Sequence, residues 1–252
     1  MTSQGSTRQP KYQRIADALR TAIQAGKYGP GDRLPGENDL MATYEVARMT
    51  ARQALGVLQN EGIAEARKGA GVFVRSFKPM RRRGIQRLAH EQWGAGRSIW
   101  SDDAGDRELV VDQIEVREVE ADNRISNALG LPPGAQVWAR SRRFVLDGKP
   151  VLFATSYLPS DVVGDSTITQ VDTGPGGTYA RLAELGQGPV HFREEIRSRM
   201  PSADEAERLV LAMGTPVIQI VRTAFAEGGR GVEVNEMTLD SASYVLEYDF
   251  DA

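Results

Sequence analysis

From Pro10 onward Tyr12, Ile15, Leu19 and Ile23 recur at helical spacing, with Ala16 and Ala22 beside the stripe, so the first ordered element is an amphipathic helix. Gly26, Gly29, Pro30 and Gly31 end it. A second, short helix is predicted from Glu37 to Tyr44, after Pro35-Gly36, and a third from Arg48 to Gln59. The third puts Ala51, Ala54, Leu55 and Leu58 on one apolar face and leaves Arg48, Met49, Arg52 and Gln53 to point away from it. Two short helices across a three-residue turn make a helix-turn-helix candidate. Ile63 to Arg67, Lys68-Gly69-Ala70-Gly71 and Val72 to Arg75 then read as strand, glycine turn and strand. The tip of that hairpin is basic, and its bare backbone is able to approach a narrow groove closely.

Further on the pattern changes to long alternating strands. Val111, Ile114, Val116 and Val119 mark one; Asp122 to Leu129 is a helix; Gln136 to Leu146 and Pro150 to Leu158 form a hairpin around Asp147-Gly148. The order recurs, with a helix from Ser202 to Met213, a strand from Val217 to Phe225, a turn at Glu227 to Gly231 and a strand from Val232 to Leu239. A helix near Thr178 to Leu185 and a strand from Val190 to Arg199 lie between the two units. Setting ALGLPPGAQVWARSRRFVLDGKPV over LAMGTPVIQIVRTAFAEGGRGVEV with the strands in register, Val137 over Val217, places Arg142 opposite Arg222. Two copies do not make a solenoid; they predict an α+β domain with an antiparallel sheet and a pseudo-twofold cleft. On the first copy Trp138, Arg140, Arg142 and Phe144 share one sheet face, either as a pocket wall that is part aromatic and part cationic or, for Trp138 and Phe144, as core.

Charge divides the chain at about the same place. Residues 1–90 hold 16 basic and 7 acidic side chains, net +9, while residues 91–252 hold 15 and 27, net −12. A basic head implies an acidic partner for that half, nucleic acid foremost. The expected organisation is a disordered tail at 1–9, a winged helix-turn-helix at 10–75, a basic linker at 76–97 and an acidic α+β domain at 98–252. Arg81, Arg82 and Arg83 in the linker are expected either to add phosphate contacts or merely to solubilise it. The chain has no cysteine, which excludes disulfides, thiolate metal sites and a Cys nucleophile. His90 and His191 are isolated, so no metal site and no cofactor are expected. No signal-like or membrane-length apolar stretch is present, and the expected location is the cytoplasm.

The stretches PGDRLPGENDL, YEVARMTARQAL, LQNEGI and KGAGVFV, in that order, resemble the GntR family of bacterial transcription regulators over residues 10–75. The resemblance implies that the third helix enters the major groove and the wing tip the flanking minor groove. Arg48, Met49, Thr50 and Arg52 fall at DNA-contacting positions, Lys68 and Gly69 at the wing, and Arg33 and Asn38 at backbone contacts. Where the family usually has Ser at two helix N-caps, this chain has Gly36 and Ala47; losing the acceptor costs about 0.5–2 kcal/mol for Ala and a few tenths for Gly. The remainder resembles the UTRA effector domain of the HutC subfamily, through ALGLPPG, DGKPV before ATSYLP, GGTYARL, SADEAERL and GVEV. That implies a fold like chorismate lyase, a homodimer, and a small-molecule effector held near Ser98, Thr178, Arg142, Arg222 and Glu233. The usual Arg-x-Arg and strand Glu are altered here, to Phe144 and Ala154, which disfavours a sugar phosphate and favours an aromatic or apolar effector with at most one anionic group; Arg140 would restore some charge.

Three functions follow. The first is a DNA-binding regulator, a repressor whose grip on an inverted-repeat operator is altered by an effector. The second is a repressor without a ligand, its body serving to dimerise. The third is an enzyme on the lyase-like body, for which Glu233 alone is thin evidence. A fused pyridoxal-phosphate enzyme would need about a hundred further residues and a Schiff-base Lys context.

Overall fold

A computed structural model describes residues 9–76, 80–84, 88, 100, 104–164 and 166–250. The chain divides into two compact units, one made of the described residues up to 76 with 212–215, the other of the rest.

In the first unit α1 (Lys11–Gln24), α2 (Glu37–Tyr44) and α3 (Arg48–Asn60) precede an antiparallel hairpin, β1 (Ala64–Arg67) with β2 (Gly71–Val74). Ile15 and Leu19 of α1 meet Leu40 of α2 and Ala51, Ala54, Leu55 and Leu58 of α3, joined by Ala64 and Val74 from the hairpin. These are the residues the 3.6 period selects, and each large aliphatic buried there contributes about 1.5–3 kcal/mol. Leu34 N–H donates to Val72 O at 2.8 Å and Gly31 N–H to Val74 O at 3.0 Å, so the segment before α2 runs along the hairpin. At α2 the Asp39 carboxylate accepts from Gly36 N–H at 2.9 Å, while Gly36 has no side chain to return the bond. Ala47 likewise caps α3 without a side-chain acceptor.

The second unit is a six-stranded antiparallel sheet. Its strands are β4 (Leu109–Glu120), β5 (Gln136–Leu146), β6 (Lys149–Pro159), β7 (His191–Arg199), β8 (Val217–Phe225) and β9 (Gly231–Asp240), in the order β4-β5-β6-β9-β8-β7. That order is the repeat made visible: two strand–hairpin units meet through β6 and β9, so the sheet reads alike from either edge. On one face α4 (Asn123–Leu129), N-capped by Asp122, packs Ile125 and Leu129 on Val137 and Val234. On the other, α5 (Ser160–Val163) and α6 (Gly177–Glu184) cover the sheet with Val163, Tyr179 and Leu182 against Leu158, Ala224 and Val232.

Two expectations fail. The helix foreseen at Ser202 to Met213 is only α7 (Ala203–Arg208), because Leu209 turns into the core and Val210 takes φ +49°. The linker expected to be flexible contains β3 (Met80–Arg83), paired in parallel with β10 (Tyr244–Glu247). Of its arginines Arg82 is withdrawn from any phosphate at 1% exposed, while Arg81 and Arg83 stay exposed and pair with Glu247 at 2.6 and 3.3 Å.

Candidate functional site

In the winged unit α3 presents a cationic face. Arg48 and Arg52 lie one turn apart with about three-fifths of each side chain exposed, and Met49 beside them is 60% exposed. Thr50 is half-buried. Both arginines turn toward the start of α2. Arg52 Nε donates to Glu37 Oε1 at 2.7 Å and Nη2 to Oε2 at 3.2 Å, and Arg48 Nη2 donates to Asn38 Oδ1 at 3.3 Å. The Arg52 hydrogen bonds and charge hold the Glu37 carboxyl below its usual range. The structure thus brings Arg48, Arg52 and Asn38 together around Glu37, a residue the sequence reading passed over. Lys68 and Gly69 are exposed at the hairpin tip. The Arg33 side chain lies near the hairpin tip as well, beside Gly71 at the start of β2, whose φ is +117° and whose Cβ, if present, would lie 3.0 Å from Arg33 Nε. Any other residue at 71 would be strained and would displace Arg33.

In the sheet unit a cavity of about 380 Å³ opens on the face that α6 covers. Its walls are Trp100, Leu109, Val111, Arg142, Phe144, Arg222, Glu233 and Asn235, closed by the bare backbone of 173–177 and by Thr178 and Tyr179 of α6. Arg142 and Arg222, the pair aligned by the repeat, both line it. Tyr179 OH donates to Glu233 Oε2 at 2.6 Å, Arg142 Nη2 donates to Ser156 Oγ at 2.9 Å, and Arg222 stacks over the Tyr179 ring at 5.4 Å. Burial pushes the Arg142 guanidinium down, as does Arg222, while Glu233 works the other way. Trp100 and Phe144 stack at 4.4 Å as the apolar wall. Among the described residues, four side chains on these walls hold buried polar atoms without a hydrogen-bond partner: Arg142 Nε, Arg222 Nε and Nη1, Thr178 Oγ1 and Asn235 Oδ1. Buried polar atoms are ordinarily paired, so their gathering on one wall makes this cavity the candidate ligand site.

Other expected residues lie elsewhere. Trp138 packs into the apolar cluster around Leu158 rather than on the cavity. Arg140 is committed to structure, donating to the carbonyls of Ile168 and Gln170 and to Val171 O at 3.1 Å, with burial pushing it down to about 10. Those three bonds tie its Nη groups to the backbone of 168–171, and it does not line the cavity. Ala154, opposite Arg142 across the β5–β6 ladder, is fully buried among apolar neighbours and does not itself line the cavity; Glu233 supplies the carboxylate from β9. Ser98 and His90 lie outside the described residues. Tyr179 and Asn235 were missed; Tyr179 stood within the GGTYARL motif, next to Thr178.

A larger concavity of about 600 Å³ occupies the opposite sheet face, between Glu115, Arg117, Ser141, Thr155 and Tyr157. No buried polar atom there lacks a partner, and it is not the ligand candidate. Among the described residues no group of His, Asp and Glu could hold a metal ion, and no helix is long and apolar enough to cross a membrane.

A winged helix with an exposed cationic recognition face, on the same chain as a sheet domain with a polar-lined cavity, defines a DNA-binding transcriptional regulator. The chain belongs to the gntR family of bacterial regulatory proteins: that family's model matches residues 11–74, and the UTRA domain matches residues 104–244. It is 32% identical over 257 residues to a transcriptional regulator of Streptomyces coelicolor, covering 96% of this chain and 93% of that one. It is 24% identical to the repressor NagR of Bacillus subtilis, covering 89% and 88%. A crystal structure of a GntR-family regulator superposes with a TM-score of 0.65 at 28% identity, covering 97% and 98%. The fold is also that of PhnF from Mycobacterium smegmatis, at a TM-score of 0.57, 22% identity and coverage of 94% and 99%. The Streptomyces and Bacillus relatives and the 28% identical structure are transcriptional regulators.

Proposed function

We propose that this protein is a repressor, a homodimer on an inverted-repeat operator, whose DNA affinity is altered by a small organic anion bound between Arg142, Arg222 and the start of α6. NagR and the Escherichia coli repressor MngR, 26% identical, support repression. Arg48 and Arg52 read or clamp the major groove, with Met49, Thr50 and Asn38 around them; Lys68 and Gly69 reach the minor groove, and Arg33 steadies the hairpin. An Arg fork on guanine is worth about 1–3 kcal/mol of discrimination. One winged helix spans few base pairs, and isologous pairing of two chains supplies the second half-site.

The observation that carries the effector reading is the set of unpartnered polar atoms on the cavity wall. Among the described lining residues two guanidiniums face one carboxylate, so a single anionic group balances the site. The N-terminus of α6, capped by Gly176 without a side chain, adds its N–H groups to the same preference. Polar groups for a sugar phosphate are not short, since Arg222 and Glu233 stand in for what Phe144 and Ala154 lack. The Trp100–Phe144 wall is what favours a flat, apolar body on the effector. Calorimetry with phenyl phosphate and with glucosamine 6-phosphate, each followed by mobility shift on the DNA upstream of the protein's own coding sequence, tests this. Phenyl phosphate is expected to bind at least about tenfold more tightly and to change the shift. Micromolar binding of glucosamine 6-phosphate, lost in Arg142→Ala, would overturn the aromatic preference.

A further inference from the structure

Arg222 faces two ways. Within the cavity its Nε and Nη1 lack hydrogen-bond partners, yet Nη1 also stands 3.9 Å from Glu194 Oε1, directly across the β7–β8 ladder. That carboxylate is already gripped. Arg82 Nη1 donates to Oε2 at 3.0 Å and Nη2 to Oε1 at 2.5 Å, and Tyr248 OH donates to Oε2 at 3.0 Å. Burial pushes the Glu194 carboxyl up, but the hydrogen bonds and charge of Arg82, with Arg222 and Tyr248 added, outweigh it and hold the group below its ordinary range.

Arg82 belongs to β3, the next strand in sequence after the winged unit's hairpin. The parallel pairing with β10 is only four residues long, too short to be firm by backbone bonds alone. Met80 and Tyr244 seat the pair in the apolar cluster with Phe144 and Ile220, and the polar tie to the sheet is the Arg82–Glu194 pair, with side chains 1% and 10% exposed. Tyr248 closes over the same spot, its ring so near Gly84 that a Cβ there would fall 2.2 Å from Cε1.

We propose that Glu194 is a relay between the cavity and β3: an anion seated on Arg222 gives that guanidinium a counter-charge of its own, leaves Glu194 to Arg82 and Tyr248, and so tightens β3 against the body. The inference rests on reading the cavity as an anion site. Its physical ground is that two guanidiniums share one buried carboxylate, and a buried charge is held firmly only where its compensation is its own. Because β3 follows the hairpin along the chain, its firmness reaches the DNA-binding unit by covalent continuity. Coupling of this kind is reciprocal, so docking of β3 and occupancy of the cavity favour one another.

The test uses the full-length protein with phenyl phosphate as probe, measuring binding heat and amide hydrogen exchange at 80–84 and 244–248 side by side. Bound probe is expected to slow exchange in both segments by about fivefold or more. In Glu194→Gln the heat persists and the slowing disappears; in Arg82→Lys, which keeps the charge but loses the fork, the slowing is cut to less than half. Heat without slowing in the parent protein overturns the relay and leaves the anion site standing. No heat at millimolar probe overturns the anion site and the relay with it. Should Glu194→Gln fail to fold, the parent exchange data and Arg82→Lys decide the matter.

Discussion

On the winged unit Arg48 and Arg52 leave about three-fifths of their side chains in water, and Glu37 is the carboxylate that both face; on the sheet unit Arg82, Arg140 and Arg222 are 1–2% exposed and held by carboxylates or backbone carbonyls. The same side chain serves opposite ends. In water an ion pair is worth little and exchanges readily, so Glu37 can hold the Arg52 fork in a set direction and still yield it to a phosphate or a base. Out of water a guanidinium needs partners for most of its donors, and each pairing fixes the elements it touches. The first arrangement keeps recognition groups available; the second makes a scaffold, and where several polar atoms without partners gather on one cavity wall it leaves room for a ligand.

The largest effect that would sharpen this contrast is expected from Arg140→Ala. Removing the donor to the carbonyls of Ile168, Gln170 and Val171 should cost about 3 kcal/mol by chemical denaturation, from lost charge-assisted bonds and stranded acceptors. A loss below about 1 kcal/mol would mean that the buried arginines are not scaffold. Next comes Arg52→Ala. Operator affinity should fall by about 1–3 kcal/mol, while unfolding stability shifts by no more than about 0.5 kcal/mol. Mobility shift beside a thermal melt separates the two quantities, and a variant that binds like its parent would break the assignment of α3.

The smallest effect concerns acid. Glu205, N3 of α7, accepts both arms of the Arg199 fork, at 2.6 and 2.7 Å, and the N–H of Ser202 at 2.8 Å. The Arg199 hydrogen bonds foremost hold its carboxyl at about 2. Between there and the unfolded value near 4.3 the unfolded chain binds more protons, so this contribution is full above about pH 4.3 and is lost as pH falls toward 2. An NMR titration of the Glu205 carboxyl carbon checks it, and a midpoint near 4 would show the fork to be no firmer than a surface pair.

Local chemistry made most of the fold legible. The spacing of Ala51, Ala54, Leu55 and Leu58 marked α3, and alternation between Asp122-capped α4 and the Asp147-Gly148 turn marked β5, because capping, period and turn preference act within a few residues. The cavity was legible only in part. The repeat put Arg142 opposite Arg222, and both arrive at one site, but nothing near Arg140 in sequence reveals the carbonyls of 168–171 that occupy it. Met80–Arg83 looked like a basic connector because the partner that lets Arg82 be buried, Glu194, lies 112 positions away. Glu37 escaped notice for a different reason: a carboxylate at a helix start is already explained by the helix dipole, so its grip on Arg52 left no local trace.

The sheet that reads alike from either edge has a consequence for how specificity can change. The cavity is a vice with two jaws of similar make, one from each half of the repeat, each contributing an arginine at the matching place. A change in one jaw leaves the other's hold on the charge intact, so a new shape can be tried without surrendering the anchor. Phe144 and Ala224, two positions beyond their respective arginines, differ in just this way: one is an aromatic plate against Trp100, and the other is small and buried in the core.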